Sequence, residues 1–324
     1  MEIYQIIILI IVFLLIILIL SLSYYLYHHT FKNHHKKDID DYYYLDQHYY
    51  DDYRNTIIEG IKKSNEIEYQ EIDIQAYDSS KLHGRLFISN KEAPFILLSH
   101  GFKSTPIRDF ALIIPKLKEA GYNLLLIDQR GQGKSDGHIL YFGEKERYDI
   151  LRWTNYLNDS GYSNNPIIYY GLSLGASTVL MAESLDLPAN VCGIIADSPY
   201  SSPIKAIREV AQYQIHLNKY IVGCLTFMGA LLYGHFNLVA TDCIRSIKNK
   251  DIPILLLQGD KDRLVPNWMS EDIYQASPKQ VQLEIFKGAK HMLAMYSEED
   301  RYLNLVFNFI KERTKYENKT QSPQ

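Results

Sequence analysis

Six short apolar runs punctuate the chain: FILLS (95–99), NLLLI (123–127), IIYYG (167–171), VCGIIA (191–196), IPILLL (252–257) and VQLEIF (281–286). Each has the length of a strand, and near-continuous runs of this kind are typical of strands covered on both faces. Longer stretches with helical spacing separate them at about 106–120, 144–159 and 174–186, and follow the last two. This alternation predicts an α/β architecture: a mostly parallel, eight-stranded-type sheet with helices on both faces. Upstream, EYQEIDIQAY (68–77) alternates polar and apolar residues, Asp78-Ser79-Ser80 offers a turn, and KLHGRLFIS (81–89) resumes. That pattern predicts an antiparallel strand pair. Functional residues of such a sheet belong at the C-terminal ends of its strands.

One connection is unusually long. Residues 199–250 have helical character and no strand, and within them YIVGCLTFMGALLYG (220–234) is almost wholly apolar. A membrane crossing here would put the last two strands across the bilayer from the first four, and no single sheet could form. A helical cap inserted over the sheet is the expectation.

At the N-terminus every residue from Ile6 to Leu20 is Ile, Leu, Val or Phe. With its flanks, Ile3 to Tyr27 is long enough to cross a hydrocarbon core of ~30 Å as a helix, and Tyr24, Tyr25 and Tyr27 suit a membrane–water interface. A cleaved signal peptide fits less well, because no Lys or Arg precedes the run and Ser21-Leu22-Ser23 is a poor cleavage site. Residues 1–27 are therefore expected to be a retained single-pass anchor. Lys32, Lys36 and Lys37 follow it, so the positive-inside rule points to a cytoplasmic catalytic domain.

Residues 28–66 show no sustained apolar periodicity. They hold five of the 11 histidines (28, 29, 34, 35 and 48), with many aspartates and tyrosines. Adjacent His-His pairs do not share a helix face, so a polar tether is expected rather than a metal site. The folded domain is expected over 67–312, with a polar tail over 313–324.

Composition narrows the function. A net charge of −4 gives no general reason for nucleic acid as a partner. Cys192, Cys224 and Cys243 have no C-x-x-C spacing, which disfavours a zinc knuckle or a disulfide framework. The stretch DQRGQGKSDG (128–137) ends in Gly133-Lys134-Ser135 but lacks the full G-x-x-x-x-G-K-[ST] phosphate loop. No metal or organic cofactor is implied.

Within YYGLSLGAS (169–177), Gly171-Leu172-Ser173-Leu174-Gly175 matches G-x-S-x-G. The pentapeptide alone is weak, since a chain with 17 glycines can produce it by chance. Its context is stronger: a strand enters it and a helix leaves it, the setting in which a sharp turn presents a serine hydroxyl above the sheet edge. Gly171 and Gly175 relieve crowding in that turn, and the Leu174 N–H falls at a helix N-terminus, free to meet an oxyanion. A reactive serine needs a base and an orienting carboxylate. His291, in KGAKHML after the last strand, stands where the base belongs, and QGDKDRLVP offers Asp260 and Asp262 after the strand before it, one of them serving as a turn former. The first parallel strand closes with SHGF (99–102), where Gly101 lets the Phe102 N–H approach as a second oxyanion donor and His100 shapes the loop.

Taken in order, HGF at 100–102, D-x-R-G-x-G-x-S at 128–135, G-x-S-x-G at 171–175, D-x-x-V-P at 262–266 and G-A-x-H at 288–291 make residues 68–312 resemble a serine α/β-hydrolase. The similarity is to the monoacylglycerol-lipase/serine-aminopeptidase-like (S33-type) group, especially its small membrane-anchored bacterial members. The resemblance implies Ser173 as nucleophile, Asp262 as acid, His291 as base, the Phe102 and Leu174 amides as oxyanion hole, and Arg130 as a brace. Gln132 departs from the histidine common in the D-x-R-G-H-G turn, with an expected effect on loop packing only. The implied activity is hydrolysis of a small-molecule acyl ester or lipid through an acyl-serine. An aminopeptidase or acylpeptide hydrolase is the alternative within the fold, and a silent membrane-tethered binding module the alternative outside enzymes.

Overall fold

In the computed structural model, residues 2–316 are described, apart from 35, 37, 38, 44, 214 and 215. Eight strands form one sheet: β1 (Gln70–Gln75), β2 (Lys81–Phe87), β3 (Phe95–Ser99), β4 (Asn123–Ile127), β5 (Ile167–Leu172), β6 (Val191–Asp197), β7 (Ile254–Gly259) and β8 (Val281–Phe286). Their order is β1-β2-β4-β3-β5-β6-β7-β8. β1, β2 and β4 pair antiparallel, and every later pairing is parallel.

Alternate residues of each central strand feed two cores, the period-two consequence of the strand pleat. Phe95, Leu97, Ile167 and Tyr169 face one side; Ile96, Leu98, Ile168 and Tyr170 face the other. In chain order the helices are α1 (Ile3–Phe31), α2 (Arg54–Asn65), α3 (Pro106–Asp109), α4 (Ile113–Glu119), α5 (Glu146–Leu157) and α6 (Leu174–Ala182). They continue with α7 (Pro203–Tyr213), α8 (Lys219–Tyr233), α9 (Cys243–Ile247), α10 (Trp268–Ala276), α11 (Ala294–Ser297) and α12 (Glu299–Thr314). The first face carries α5, α6, α9 and α10, with Trp153 fully buried; the second carries α2, α3, α4, α11 and α12.

The helix expected over 106–120 is split into α3 and α4. Pro115 is the reason: lacking an N–H, it is tolerated only in the first turn of a helix, so a new helix must begin just before it, at Ile113. The chain between Ser198 and Lys250 is helical, supplied by α7, α8 and α9.

The stretch read as a tether, 28–66, needs correction. α1 does not stop at Tyr27 but runs to Phe31, and both residues are buried with Ile207, Ala230, Phe236 and Leu238. The Asn33 N–H donates to the His138 carbonyl, its side-chain amide to Gly131, and Lys36 Nζ to Ser135 and Gly137. α2 then buries Ile57 and Ile61 against the sheet's second face, with Gly60 so close to Ala111 that a Cβ would lie 2.4 Å from its carbonyl oxygen. Too few apolar residues, spaced for one short helix, hid this segment from a periodicity reading; its burial comes from partners far along the chain. His35 and Lys37 lie outside the described residues, as does the tail beyond 316; α12 carries helix two residues past the expected domain end at 312.

α1 is 29 residues long, ~44 Å at 1.5 Å per residue. It is the one helix among the described residues long and apolar enough to cross a membrane.

Candidate active site

Three strand ends converge on Ser173. β5 delivers it directly, and its backbone is held at φ 54°, ψ −114°, a conformation that side chains other than glycine rarely adopt. The flanking glycines make the turn possible. A Cβ on Gly171 would lie 2.4 Å from the Gly175 backbone, and one on Gly175 would lie 1.9 Å from the Ser99 carbonyl oxygen. The Ser173 N–H donates to the Asp197 carbonyl at 2.9 Å, tying the turn to the end of β6.

The Ser173 hydroxyl is 2.8 Å from His291 Nε2, and His291 Nδ1 is 2.6 Å from Asp262 Oδ2. All three side chains are buried. Asp262 Oδ1 accepts the Leu264 and Val265 N–H groups at 2.9 and 2.8 Å, and Gln258 Nε2 donates to Oδ2 at 3.2 Å. Those donors orient the carboxylate and leave Oδ2 facing the imidazole. Asp260 is the turn former: it accepts the Gly288 N–H at 2.6 Å and links the ends of β7 and β8. Burial lowers the pKa of His291, but the Asp262 carboxylate, joined by Asp197 and Asp109, outweighs it and leaves the imidazole above its ordinary value.

The loop after β3 faces the same point. The added Cβ of Gly101 would lie 3.5 Å from Ser173 Cβ, so a side chain there would crowd the serine. Among the described residues no protein acceptor takes the Phe102 or Leu174 N–H, and Leu174 opens α6. His100 is fully buried, its Nδ1–H donating to Gly101 O at 2.9 Å and its Nε2 accepting from the Gln129 N–H at 3.2 Å. Burial lowers its pKa and keeps it neutral. Both ring nitrogens are thus engaged in bracing the loop. Arg130 is bidentate to Asp149 at 2.6 Å and reaches Asp78 at 2.9 Å, so it ties the 128–137 turn to α5 and to the β1–β2 turn. Gln132 is buried in that turn, with its N–H on Gln129 O.

Four residues around the site escaped sequence reasoning. Asp109, buried in α3, accepts the Gly101 N–H at 2.7 Å and so sets the loop's backbone. Gln129 donates to the His100 carbonyl and accepts from Thr178. Asp197, its pKa pushed by burial up to about 6, accepts from Tyr302 and Ser198, and Ser198 Oγ receives the Met292 N–H beside His291. Tyr49, from the supposed tether, donates to the His291 carbonyl at 2.7 Å. The segment around it is also stitched to the chain just after the β3 loop, by Thr105 to Asp41 and Arg108 to the Tyr43 carbonyl. Asp197 and Gln129 had a positional signal, standing at or just beyond a strand's C-terminal end. A separate cavity of about 390 Å³, lined by Glu183, Pro188, Val191 and Ile252, opens at the other end of β6 and β7, away from this chemistry.

Residues 90–225 and 230–299, more than half of the chain, match the serine aminopeptidase, S33, family. The chain belongs to that family. This S33 protein is an α/β-hydrolase and a serine hydrolase. It is similar in fold to an esterase of Pyrococcus furiosus, with a TM-score of 0.64 and 23% identity, covering 78% of this chain and 94% of that one. It also resembles an acylaminoacyl peptidase of Pyrococcus horikoshii, with a TM-score of 0.60 and 19% identity, covering 82% of this chain and 44% of that one. Among curated proteins, the thiohydrolase aneE of Aspergillus aculeatus is 28% identical over 145 residues, 41% of this chain and 44% of the relative. The uncharacterized protein YfhR of Escherichia coli O157:H7 is 23% identical over 252 residues, 74% of this chain and 80% of the relative.

Proposed function

We propose that this S33 hydrolase cleaves carboxylic esters of medium-chain or lipid-like acyl groups through an acyl-enzyme on Ser173. The observation that carries the reading is the unbroken relay from the Ser173 hydroxyl to His291 Nε2 and from His291 Nδ1 to Asp262. In this reading His291 takes the Ser173 proton as Oγ attacks the ester carbonyl. The Phe102 and Leu174 N–H groups hold the oxyanion, and His291 then returns the proton to the leaving alcohol. Water, activated by the same imidazole, releases the acid and restores the serine. Asp262 keeps the proton-bearing face of the ring toward itself and stabilises the imidazolium.

The chain is proposed to be held to a membrane by α1, with the catalytic domain on the cytoplasmic side. Retention of α1 is supported by contacts at and before the weak cleavage site: Tyr233 donates to the Leu20 carbonyl and Gly229 seats on the Ser23 carbonyl, so cleavage near Ser21–Ser23 would cut into the packing of α8. The side is supported by Lys32 and Lys36, which closely follow the apolar run.

An aminopeptidase is favoured by the family's description, and substrate panels separate the two. The full-length protein in detergent is assayed on p-nitrophenyl esters of graded chain length and on aminoacyl-naphthylamides. Ester turnover is expected, with Ser173→Ala lowering kcat on the order of 10⁶-fold. Turnover confined to the naphthylamides would overturn the ester reading, and an active Ser173→Ala protein would overturn the nucleophile.

A further inference from the structure

We propose that the outer face of cap helix α8 rests in the lipid interface beside α1, giving the protein a second membrane contact that lies on the bilayer without crossing it. From Tyr220 to Gly234 the chain carries no charged residue. Its inner face is accounted for: Val222, Gly223, Thr226, Gly229 and Ala230 are buried. Gly229 and Gly234 let α8 seat directly on α1, since a Cβ on the first would lie 2.4 Å from the Ser23 carbonyl oxygen and one on the second 2.8 Å from the Tyr27 ring. Tyr233 donates to the Leu20 carbonyl at 3.2 Å and packs edge-on against Tyr24.

Among the described residues no protein partner covers the opposite face. Ile221, Cys224, Leu231 and Leu232 are exposed and recur at helical spacing, flanked by exposed Tyr220, and Leu217 extends the patch before the helix begins. A stripe of this composition facing water is costly, and an apolar patch beside a membrane-spanning helix has an obvious solvent. The occupant follows from where α8 is seated. Its C-terminal end touches Leu20, inside the apolar run of α1, and Tyr24, in the tyrosine belt that follows the run. The exposed apolar surface at the C-terminal end of α8 therefore adjoins that of α1 where the apolar run meets the tyrosine belt. With 15 residues, ~22 Å, α8 is too short to span the membrane and long enough to lie along it. Lys219, at its start, reaches Glu209 at 3.5 Å and, with Arg208, lies over the Tyr220 ring, so the charges gather at the N-terminal end of the stripe.

This inference rests on the reading that α1 spans a bilayer, and the test separates the two. The full chain, with Cys192→Ser, is placed in nanodiscs of phosphatidylcholine and phosphatidylglycerol, and a nitroxide is attached at native Cys224. Further variants, made in a Cys224→Ser background, carry the label at Leu231→Cys, at Leu14→Cys within α1, and at exposed Asp159→Cys. Collision rates with oxygen, which concentrates in lipid, and with a water-soluble nickel chelate give each label's depth. Labels at 224 and 231 are expected roughly 5–10 Å below the phosphates, the label at 14 deeper, and that at 159 in water. A lipid-buried label at 14 with watery labels at 224 and 231 would overturn the docking and leave the anchor standing. Water at position 14 would overturn both. Dipolar broadening at 224 that vanishes on dilution with unlabelled protein would assign the face to a second copy and overturn the lipid proposal.

Discussion

Replacing Asp262 with Asn tests the relay with almost no change in shape. In the native site Oδ1 is committed to two backbone donors, the Leu264 and Val265 N–H groups. The amide of an asparagine must therefore keep its oxygen at Oδ1, because an NH₂ there would face two N–H groups. Its NH₂ is then forced into the Oδ2 position, 2.6 Å from His291 Nδ1. A donor at that place makes Nδ1 an acceptor and moves the ring proton to Nε2, which then points a hydrogen at Ser173 and can no longer take one. Loss of about 10⁴-fold in kcat is expected for a wrong tautomer in such a relay, a rise of about 5.4 kcal/mol in the barrier. The pH profile carries a second signature. In the proposed mechanism His291 serves as base only when neutral, and Asp262 is among the groups that hold its pKa above the ordinary value. Activity should thus fall as pH drops through that raised value, and with the carboxylate gone the acid limb should move to lower pH. The assay is kcat and kcat/KM on a soluble p-nitrophenyl ester across pH 5–9, with circular dichroism confirming the fold. A loss smaller than tenfold, or an acid limb that stays in place, would refute the assigned roles.

Gly175→Ala should destabilise the protein by about 1–3 kcal/mol in urea titration, since its Cβ would lie 1.9 Å from the carbonyl oxygen of Ser99 in a central strand; a change below about 0.5 kcal/mol, the size of a surface effect, would show the turn to be looser than described. Tyr49→Phe removes one hydrogen bond to the His291 carbonyl, so kcat/KM should fall about fivefold, equivalent to about 1 kcal/mol, with Ser173 still labelled by a fluorophosphonate; an unchanged rate would mean that the contact does not position the base. Ile61→Ala, at a fully buried α2 position, should cost about 2–5 kcal/mol of stability, whereas a tether residue would cost almost nothing.

The sheet was readable because its strands are continuous apolar runs, and burial on both faces leaves no polar residue to blur them. β7 starts two residues later than the run IPILLL suggests, because Pro253 has no N–H to give the ladder. That Ser173, Asp262 and His291 meet was legible because each stands at the end of a strand, where chain order and geometry coincide. What stayed hidden was made by distant parts of the chain. Leu45 lies in a turn and Tyr49 in a three-residue 3₁₀ helix, both too short to carry a repeat, and their partners include residues more than fifty positions away. Asp109 was hidden differently: it lies in a helix of four residues, too short for a periodic signal, and its role appears only when the carboxylate is seen against the Gly101 N–H.

The junction between α1 and the rest of the molecule has a consequence for how the chain tolerates insertions. A loose linker is indifferent to one residue more or less. Here the last turns of α1 are clamped by Gly229, Tyr233 and Phe236, and the chain is clamped again at once by Asn33 and Lys36. One extra residue between Leu22 and Tyr27 would turn everything beyond it by ~100° about the helix axis while advancing it only ~1.5 Å. Four extra residues would nearly restore the angle and displace the domain by ~6 Å. The join thus keeps phase as well as length, and tolerance to insertion there should rise and fall with the helical repeat.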